Sequence, residues 1–288
     1  MNYILHILVL LEIYILLAIS ANQKVGFSGL LSLAQAVIYG VGAYGIAIFS
    51  SHLEIGYWIP FILAIGSCLI LGLIFSFIAG KVIELYFSLA TLAVQIIFFS
   101  VIYNSELTNG SYGISGIASP NVFGYEINSP LEFSIYAGVW IMIVIIFLKR
   151  FYSSPLHKLI KATKDDEIAV LNLGKNPKYY KRISILISCL ISGIAGTIYA
   201  SYASYIDPSS FTLDESILIL SIVLIGGSGR LIGPIVGALI YILLPEILKF
   251  LNIPEMIAAN MRMILFGLIL VLIVRFRPNG ILGKKTFK

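Results

Sequence analysis

Long apolar segments recur along the whole chain, and they constrain its fold more than any other feature. Nine such segments lie at residues 3–21, 30–50, 59–79, 83–103, 134–148, 183–203, 217–225, 231–248 and 261–274. About 20 apolar residues in a helix span the hydrocarbon core of a bilayer. Only 11% of the 288 residues are charged, against about 25% in soluble domains. The sequence therefore predicts an all-α, polytopic membrane helical bundle with 8–9 membrane segments, some of them broken or short.

Basic residues predict how these segments are oriented. If loop 149–182 is cytoplasmic and each segment crosses once, seventeen of the 19 lysines and arginines lie on the cytoplasmic side. Only Lys249 and Arg262 then lie outside. Because short basic loops stay in the cytoplasm, the pattern predicts an N-terminus outside and a cytoplasmic C-terminus. Membrane topology then explains the net charge of +5, and no nucleic-acid partner is expected.

The chain is predicted to form a single transmembrane domain over residues 1–288, with a cytoplasmic loop at 149–182. This loop is the longest stretch between apolar segments and has 34 residues, whereas a domain with its own core needs at least about 50. The sequence contains no Walker A, HExxH or metal-ligand spacing. We therefore expect no catalytic residue and no metal site, and predict that the chain is not an enzyme. A self-sufficient secondary transporter is the alternative. Proton-driven transport would need several acids within the membrane, and Glu12 is the one carboxylate well inside the first segment.

The cytoplasmic loop has the pattern of an amphipathic helix. Ser154-Pro155 is a typical helix start, and Gly174 is a typical helix end. Thr163 and Asp166 resemble a capping box, which predicts a short helix over 164–173. Apolar side chains fall on one face at helical spacing: Leu156, Leu159, Ile160, Thr163, Val170 and Leu171. Three consecutive acids, 165–167, interrupt the basic loop, and they favour docking to a cytoplasmic protein over a solvated connector.

Several membrane segments contain polar or small residues where lipid-facing helices need neither. The polar group comprises Ser28, Ser32, Gln35, Ser88, Thr91 and Gln95. Because polar groups are expensive in hydrocarbon, these residues either line a translocation path or bond neighbouring helices. Among the glycines, Gly40 and Gly42 are predicted to pack helices closely. Gly226, Gly227, Gly229 and Pro234 form either a broken-helix gate or a tight turn, and the turn is favoured.

Six stretches, taken together, resemble a known family. They are 28–44 (SGLLSLAQAVIYGVGAY), 86–93 (YFSLATLA), 107–117 (LTNGSYGISGI), 161–174 (KATKDDEIAVLNLG), 225–238 (IGGSGRLIGPIVGA) and 277–283 (RPNGILG). In this order they resemble the LivM-type permease subunits of prokaryotic ABC importers for branched-chain amino acids. The departures are Lys161 and Lys164, where the family usually has arginines, and Arg230, where it more often has a small residue.

The resemblance implies a role and partners. The role is ATP-driven import of leucine, isoleucine, valine or related hydrophobic amino acids through the prokaryotic plasma (inner) membrane, with urea or short amides as the alternative substrates. The implied partners are a second homologous permease, two cytoplasmic ATPase subunits and an extracellular or periplasmic substrate-binding protein. ATP and magnesium would be bound by the ATPases, and no cofactor by this chain. The residues implied to couple to the ATPases are Lys161, Lys164, Asp165, Asp166, Glu167, Ala169 and Gly174.

Overall fold

The computed structural model describes residues 2–53, 56–122, 124–250, 267–268, 271–273, 275–276 and 280–282, most of which are helical. The helices are α1 (Asn2–Asn22), α2 (Gln35–Leu53), α3 (Trp58–Ala79), α4 (Glu84–Asn104), α5 (Pro130–Tyr152), α6 (Pro155–Asp165), α7 (Glu167–Asn172), α8 (Pro177–Ala203), α9 (Leu213–Gly226) and α10 (Ile232–Phe250). A π-helix, Gln23–Phe27, extends α1. Short 3-10 helices lie at Glu106–Thr108, Gly110–Tyr112 and Pro208–Phe211.

Five helices in the described ranges are long and apolar enough to cross a membrane. They are α1 with its π-helical extension, α3, α4, α5 and α8. Gln35–Ser51 and Ile232–Leu244 are shorter apolar helices, and α9 has 14 residues. Most of the predicted segment 261–274 lies outside the described residues. The helical membrane fold is thus as predicted, while the number of crossings and their orientation stay predictions.

Four predicted segments start at least four residues away from the observed helices. The segment predicted at 183–203 begins at Pro177, because Asn176 caps α8 and Pro177 occupies its first position. The segment predicted at 134–148 is longer, because α5 begins with a capping box in which Ser129 and Glu132 bond each other's backbone N–H. The segment predicted at 217–225 begins at Leu213. The segment predicted at 30–50 becomes helical only at Gln35, and residues 29–34 are not helical. Apolar runs mark burial well, but helix ends depend on polar contacts that hydropathy does not register.

Helix α8 lies at the centre of the bundle. It packs against α1, α2 and α3, and most of its residues are buried. Small residues at its contact surface let these helices approach closely, since lipid offers helices no hydrophobic drive to associate. By contrast, one face of α3, α4 and α5 exposes large apolar side chains, among them Ile62, Ile97 and Ile146. These faces have the character expected for lipid or for another membrane subunit.

Two parts of the chain repeat one arrangement in opposite directions. Helix α1 is followed by the non-α stretch 23–34 and then α2, and α8 is followed by 204–212 and then α9. The imidazole Nδ1 of His6, near the start of α1, is 2.7 Å from the Tyr202 hydroxyl at the end of α8. The two long helices are therefore antiparallel. In both cases the second helix begins inside the bundle, because the first residues of α2 and α9 hydrogen bond each other.

The bundle has two distinct ends. At one end lie α6 and α7, which connect α5 to α8; this is the α6 end. At the other, β1 (Ile114–Ser115) pairs antiparallel with β4 (Tyr205–Ile206), and β2 (Asn121–Val122) pairs with β3 (Tyr125–Glu126). The indole Nε1 of Trp58 donates to the Asn121 carbonyl at 2.7 Å and fastens the start of α3 to this strand end.

Candidate functional site

Helix α6 starts where the sequence predicts. The Ser154 hydroxyl accepts a bond from the backbone N–H of His157, and Pro155 occupies the first helical position. Its inner face joins an apolar cluster containing Phe27, Ile160, Val170 and Tyr180. This cluster connects α6, α7 and the start of α8 to the π-helix that extends α1. A movement of α6 and α7 would therefore be transmitted to α1 and α8.

The start predicted for the helix at 164–173 is wrong. Helix α6 continues to Asp165, and Asp166 then caps a separate six-residue helix, α7. The Asp166 carboxylate accepts bonds from the N–H groups of Ile168 and Ala169, at 2.8 and 3.1 Å. Thr163 makes no capping bond here and instead donates to the Leu159 carbonyl. Asp166 is the stronger cap because a carboxylate at a helix start also meets the positive end of the helix dipole.

The outer face of α7 is apolar and exposed. Ile168, Leu171 and Leu173 expose 69%, 56% and 69% of their surfaces, whereas Val170 is buried. Leu171 therefore does not share the buried face with Val170, contrary to the sequence pattern. The exposed carboxylates of 165–167 and Gly174, at φ +70°, flank this apolar patch. The sequence pattern placed Leu171 on the buried face and gave Ile168 and Leu173 no role, although large aliphatic side chains directly after three consecutive acids are a readable signal.

Besides Asp166, two of the predicted coupling residues bond other parts of the chain. Lys164 donates from Nζ to the Gly26 carbonyl at 2.9 Å and ties α6 to the π-helix. Glu167 forms an ion pair with the buried Lys181 of α8. Lys161 and Ala169 are exposed. Within the predicted set, Lys161, Asp165 and Ala169 therefore belong to the open surface, while Lys164, Asp166 and Glu167 also fix the shape of that surface.

His157, in the first turn of α6, packs against aromatic side chains of α5 and the π-helix. Its ring centroid lies 4.4 Å from that of Tyr152 and 4.7 Å from that of Phe27. Burial, with a smaller contribution from the charge of Lys161, lowers the pKa of His157 to about 4. The imidazole is therefore neutral at physiological pH and acts as a packing group.

Hydroxyl and amide groups connect α1 to α8 along the bundle axis. Ser20 and Ser188 each donate to the other's carbonyl at 2.7 Å. Ser184 donates to the Gln23 carbonyl at 2.8 Å. The Gln35 amide donates to the Ser20 hydroxyl at 2.8 Å, which brings the start of α2 into this row. Such interhelical bonds satisfy polar groups that lipid cannot.

A second polar group, the α2–α9 junction, stabilises the two helix starts inside the bundle. The Ala36 N–H donates to the Ser216 hydroxyl at 2.8 Å, and this hydroxyl lies 3.0 Å from the Gln95 amide oxygen. The Gln95 amide nitrogen donates to the Phe211 carbonyl at 2.8 Å. The Leu33 N–H donates to the Thr91 hydroxyl at 3.0 Å. Non-helical backbone at membrane depth requires such partners, and α4 supplies them to the starts of both α2 and α9.

All six predicted path residues are buried. Ser28 donates to the Lys24 carbonyl, Ser88 donates to the Leu85 carbonyl, and the Ser32 hydroxyl accepts a bond from the Ala34 N–H. The structure therefore brings Gln35, Thr91 and Gln95 to the two polar groups just described and leaves the three serines with local bonds. A role for any of them in contacting substrate stays a prediction.

The predicted packing glycines lie at close helix contacts. A side chain on Gly42 would meet the Gly193 carbonyl of α8 at 2.6 Å, and one on Gly40 would meet the Phe98 ring at 2.8 Å. Gly226 ends α9, Gly227 and Gly229 have positive φ in the turn that follows, and Pro234 lies in the first turn of α10. The Asn22 side chain bonds the Gly229 N–H and the Arg230 carbonyl of this turn, both at 2.9 Å. These residues thus form a tight turn between α9 and α10.

Two cations counted on the cytoplasmic side are buried. One is Lys181, which pairs with Glu167. The other, Lys24, lies on the π-helix with 1% of its surface exposed. It follows Gln23, whose side-chain oxygen accepts a bond from the Tyr152 hydroxyl at 3.1 Å. In the described ranges, no group of three or more His, Cys, Asp or Glu side chains is arranged to hold a metal ion.

Comparison with known proteins identifies the family. The family described as the permease component of branched-chain amino acid transport systems matches residues 3–274. The chain is 30% identical to the high-affinity branched-chain amino acid transport system permease protein LivM of Escherichia coli, over 94% of this chain and 68% of that protein. The probable LivM of Methanocaldococcus jannaschii is 25% identical over 75% of this chain and 65% of its own length.

A second group of relatives is also similar along the chain. The ribose import permease protein RbsC of Haemophilus influenzae is 27% identical over 98% of this chain and 86% of that protein. No solved structure matches the chain significantly. The family match, the apolar spanning helices and the LivM similarity agree on a multi-pass inner-membrane protein. The chain belongs to the permease components of the branched-chain amino acid transport family.

Proposed function

We propose that this chain is the permease subunit of an ATP-driven ABC importer for branched-chain or related hydrophobic amino acids. Its partners are a second homologous permease, two ATPase subunits at the α6 end and a substrate-binding protein at the strand end. The N-terminus lies outside and the C-terminus in the cytoplasm. Membership of the permease family supports this proposal, and hydrolysis of ATP is assigned to the partner subunits.

The single observation that carries the proposal is the exposed α7 patch. Ile168, Leu171 and Leu173 are large apolar residues outside the apolar helices, and acidic residues lie beside them. An exposed apolar patch with a polar rim is typical of a protein-binding surface. Anionic lipid of the inner leaflet would repel the carboxylates, so a protein groove is the better partner.

The α6–α7 connection can pass a push from the ATPases to the bundle. Val170 of α7 packs in one cluster with Phe27, next to α1, and with Tyr180 of α8. The Glu167–Lys181 ion pair and the Lys164–Gly26 bond add polar links to the same helices. We infer that closure of the ATPases moves α6 and α7 as a unit and shifts α1 against α8, which changes access to the membrane path. A ligand or ATP drives such a change only if its binding energy differs between the two states.

The substrate assignment follows the family and the LivM relatives. The relatives named as ribose permeases make ribose the second candidate, and urea and short amides are a third. Because delivery proteins set much of the specificity in the proposed assembly, the assay must use the complete complex. Leucine, valine, isoleucine, urea and ribose are therefore compared side by side.

The test reconstitutes this chain with its second permease, ATPases and binding protein and measures substrate-stimulated ATP hydrolysis and uptake. We expect Leu171→Asp to abolish co-purification of the ATPase, because it places a charge in the apolar patch. Tyr112→Asp is the matched control, since Tyr112 is an apolar residue 87% exposed at the strand end. Unchanged ATPase binding in Leu171→Asp would contradict the docking role. Stimulation by ribose or urea but not by leucine would replace the substrate assignment.

A further inference from the structure

A cavity enters the bundle between α1, α2, α8, α9 and α10. Its volume is about 490 Å³, within the range of small-molecule sites. Tyr3 and His6, at the start of α1, and Glu246 of α10 lie at its outer part, towards the strand end. Tyr39 of α2 and Glu215 of α9 line its inner part. These two residues neighbour the α2–α9 junction, so the cavity leads from one end of the bundle to its middle.

The lining of this cavity has a specific chemistry. Its described residues include two carboxylates, Glu215 and Glu246, and no lysine or arginine. Aromatic side chains supply much of the remaining wall: Tyr3, Tyr14, Tyr39, Tyr199 and Tyr241. Carboxylates within a membrane protein are costly and usually mark a ligand or ion site. Tyrosine rings attract cations through their electron-rich faces, so this lining favours a positively charged group.

Tyrosine hydroxyls lie next to both acidic groups. The Tyr14 hydroxyl lies beside the Glu215 carboxylate, and the Tyr14 and Tyr241 rings are 5.1 Å apart. The Tyr3 hydroxyl donates to Glu246 at 2.7 Å. A carboxylate has four acceptor sites on two oxygens, so the Glu215 carboxylate, with the Tyr14 hydroxyl beside it, retains acceptor capacity for a ligand. Helix α9 positions Glu215 directly before Ser216, the residue that receives the start of α2.

We propose that this cavity binds the ammonium group of the amino acid in transit, with Glu215 as its partner and the tyrosine rings around it. This inference rests on the proposed function and specifies its substrate: a primary ammonium carrying an apolar side chain. The apolar residues Ile7, Leu10, Ile13 and Ile242 line the same cavity and suit such a side chain. A neutral sugar or urea would leave the Glu215 carboxylate without a charged partner.

The purified full chain in lipid nanodiscs tests this chemistry without the other subunits. The probe is 3-methylbutylammonium, and the comparison ligands are 4-methylpentanoate and 3-methylbutan-1-ol, which keep the apolar part without the cation. We expect binding of the ammonium probe alone, displaced by leucine. Glu215→Gln should weaken it about tenfold or more, since a charge-assisted bond contributes roughly 1.5–3 kcal/mol. The matched control is Asp214→Asn, a neighbouring exposed carboxylate that should leave affinity unchanged.

Several results would overturn the proposal. These are equal binding of the alcohol or the acid, an unchanged affinity in Glu215→Gln, and displacement by ammonium chloride but not by leucine. Tyr14→Phe keeps the ring and removes the hydroxyl beside Glu215, so we expect a smaller loss of affinity for the ammonium probe than in Glu215→Gln. This milder variant tests the same site if Glu215→Gln does not fold. Failure of the complete complex to import leucine would contradict the proposed function, while ammonium binding by the chain alone would still report on the cavity.

Discussion

Of the two serines in α9, we expect Ser216 to contribute more to the stability of the folded chain through its hydroxyl. It accepts the Ala36 N–H at 2.8 Å and lies 3.0 Å from the Gln95 amide oxygen, and the side chain is fully buried. Ser216→Ala leaves a buried backbone N–H at a helix start without an acceptor. An unsatisfied buried group costs about 1–3 kcal/mol, whereas a membrane hydrogen bond whose partners can rearrange contributes only about 0.6. We therefore expect a loss of about 2 kcal/mol.

Ser221→Ala is the control within the same helix. Ser221 is also buried, but its hydroxyl donates to the Ile217 carbonyl of its own helix, which keeps its backbone bond when the hydroxyl is lost. We expect a loss below about 0.6 kcal/mol for this change. Both variants are compared by equilibrium unfolding of the purified chain in mixed micelles. A Gln95→Leu partner variant completes a double-mutant cycle, whose coupling energy should be at least about 0.5 kcal/mol.

The refuting result is a Ser216→Ala loss within experimental error of the Ser221→Ala loss. It would mean that the backbone N–H of residue 36 finds another acceptor, and that the α2–α9 junction does not stabilise the starts of these two helices. A zero coupling energy with Gln95→Leu would point the same way. Either outcome would also weaken the argument that α4 is the element that stabilises both helix starts.

Three further predictions concern other contacts. Gly42→Ala should destabilise the chain by several kcal/mol, because the added carbon would lie 2.6 Å from the Gly193 carbonyl, while Gly66→Ala meets no atom within 4 Å and should be neutral or stabilising by up to about 1 kcal/mol; thermal unfolding compares them. Asp166→Ala should weaken ATPase binding and Asp166→Asn should largely preserve it, since the cap of α7 contributes about 1 kcal/mol; co-purification measures this. His157 has a pKa of about 4 in the folded chain, so the unfolded chain takes up its proton first. The contribution of His157 to stability is therefore complete above about pH 6.5 and declines as the pH falls towards 4. We expect His157→Gln to flatten that part of a pH–stability curve.

The membrane spans could be predicted from the sequence because hydropathy is a local property. Segment 83–103 coincides with α4 to within one residue at each end. The start of α2 could not be predicted in this way. Residues 29–34 are as apolar as a helix requires, but within them the Leu33 N–H donates to Thr91, which is far away in sequence. Helix α9 likewise begins where it does because Ser216 meets Ala36 and Gln95.

The candidate coupling surface could be located from the sequence but not resolved into roles. The three acids stood out by charge, and the structure divides them: Asp166 caps α7, Glu167 pairs with Lys181, and Asp165 stays exposed. Roles of this kind depend on where helix α6 ends, and the sequence places that end ambiguously. The inner cavity was not expected at all, because its lining residues come from helices that are distant in the chain.

The short β1–β4 ladder has a mechanical consequence for the whole bundle. It joins residues 114–115 of the α4–α5 connection to 205–206, only a few residues before the start of α9. Two backbone segments from different halves of the chain are thereby hydrogen bonded to each other. In the proposed assembly, a binding protein that docks on the α4–α5 connection would contact a segment paired with residues 205–206, shortly before α9 and its Glu215 and Ser216. The β1–β4 pairing thus gives the strand end a backbone connection to the helix that carries Glu215 of the cavity.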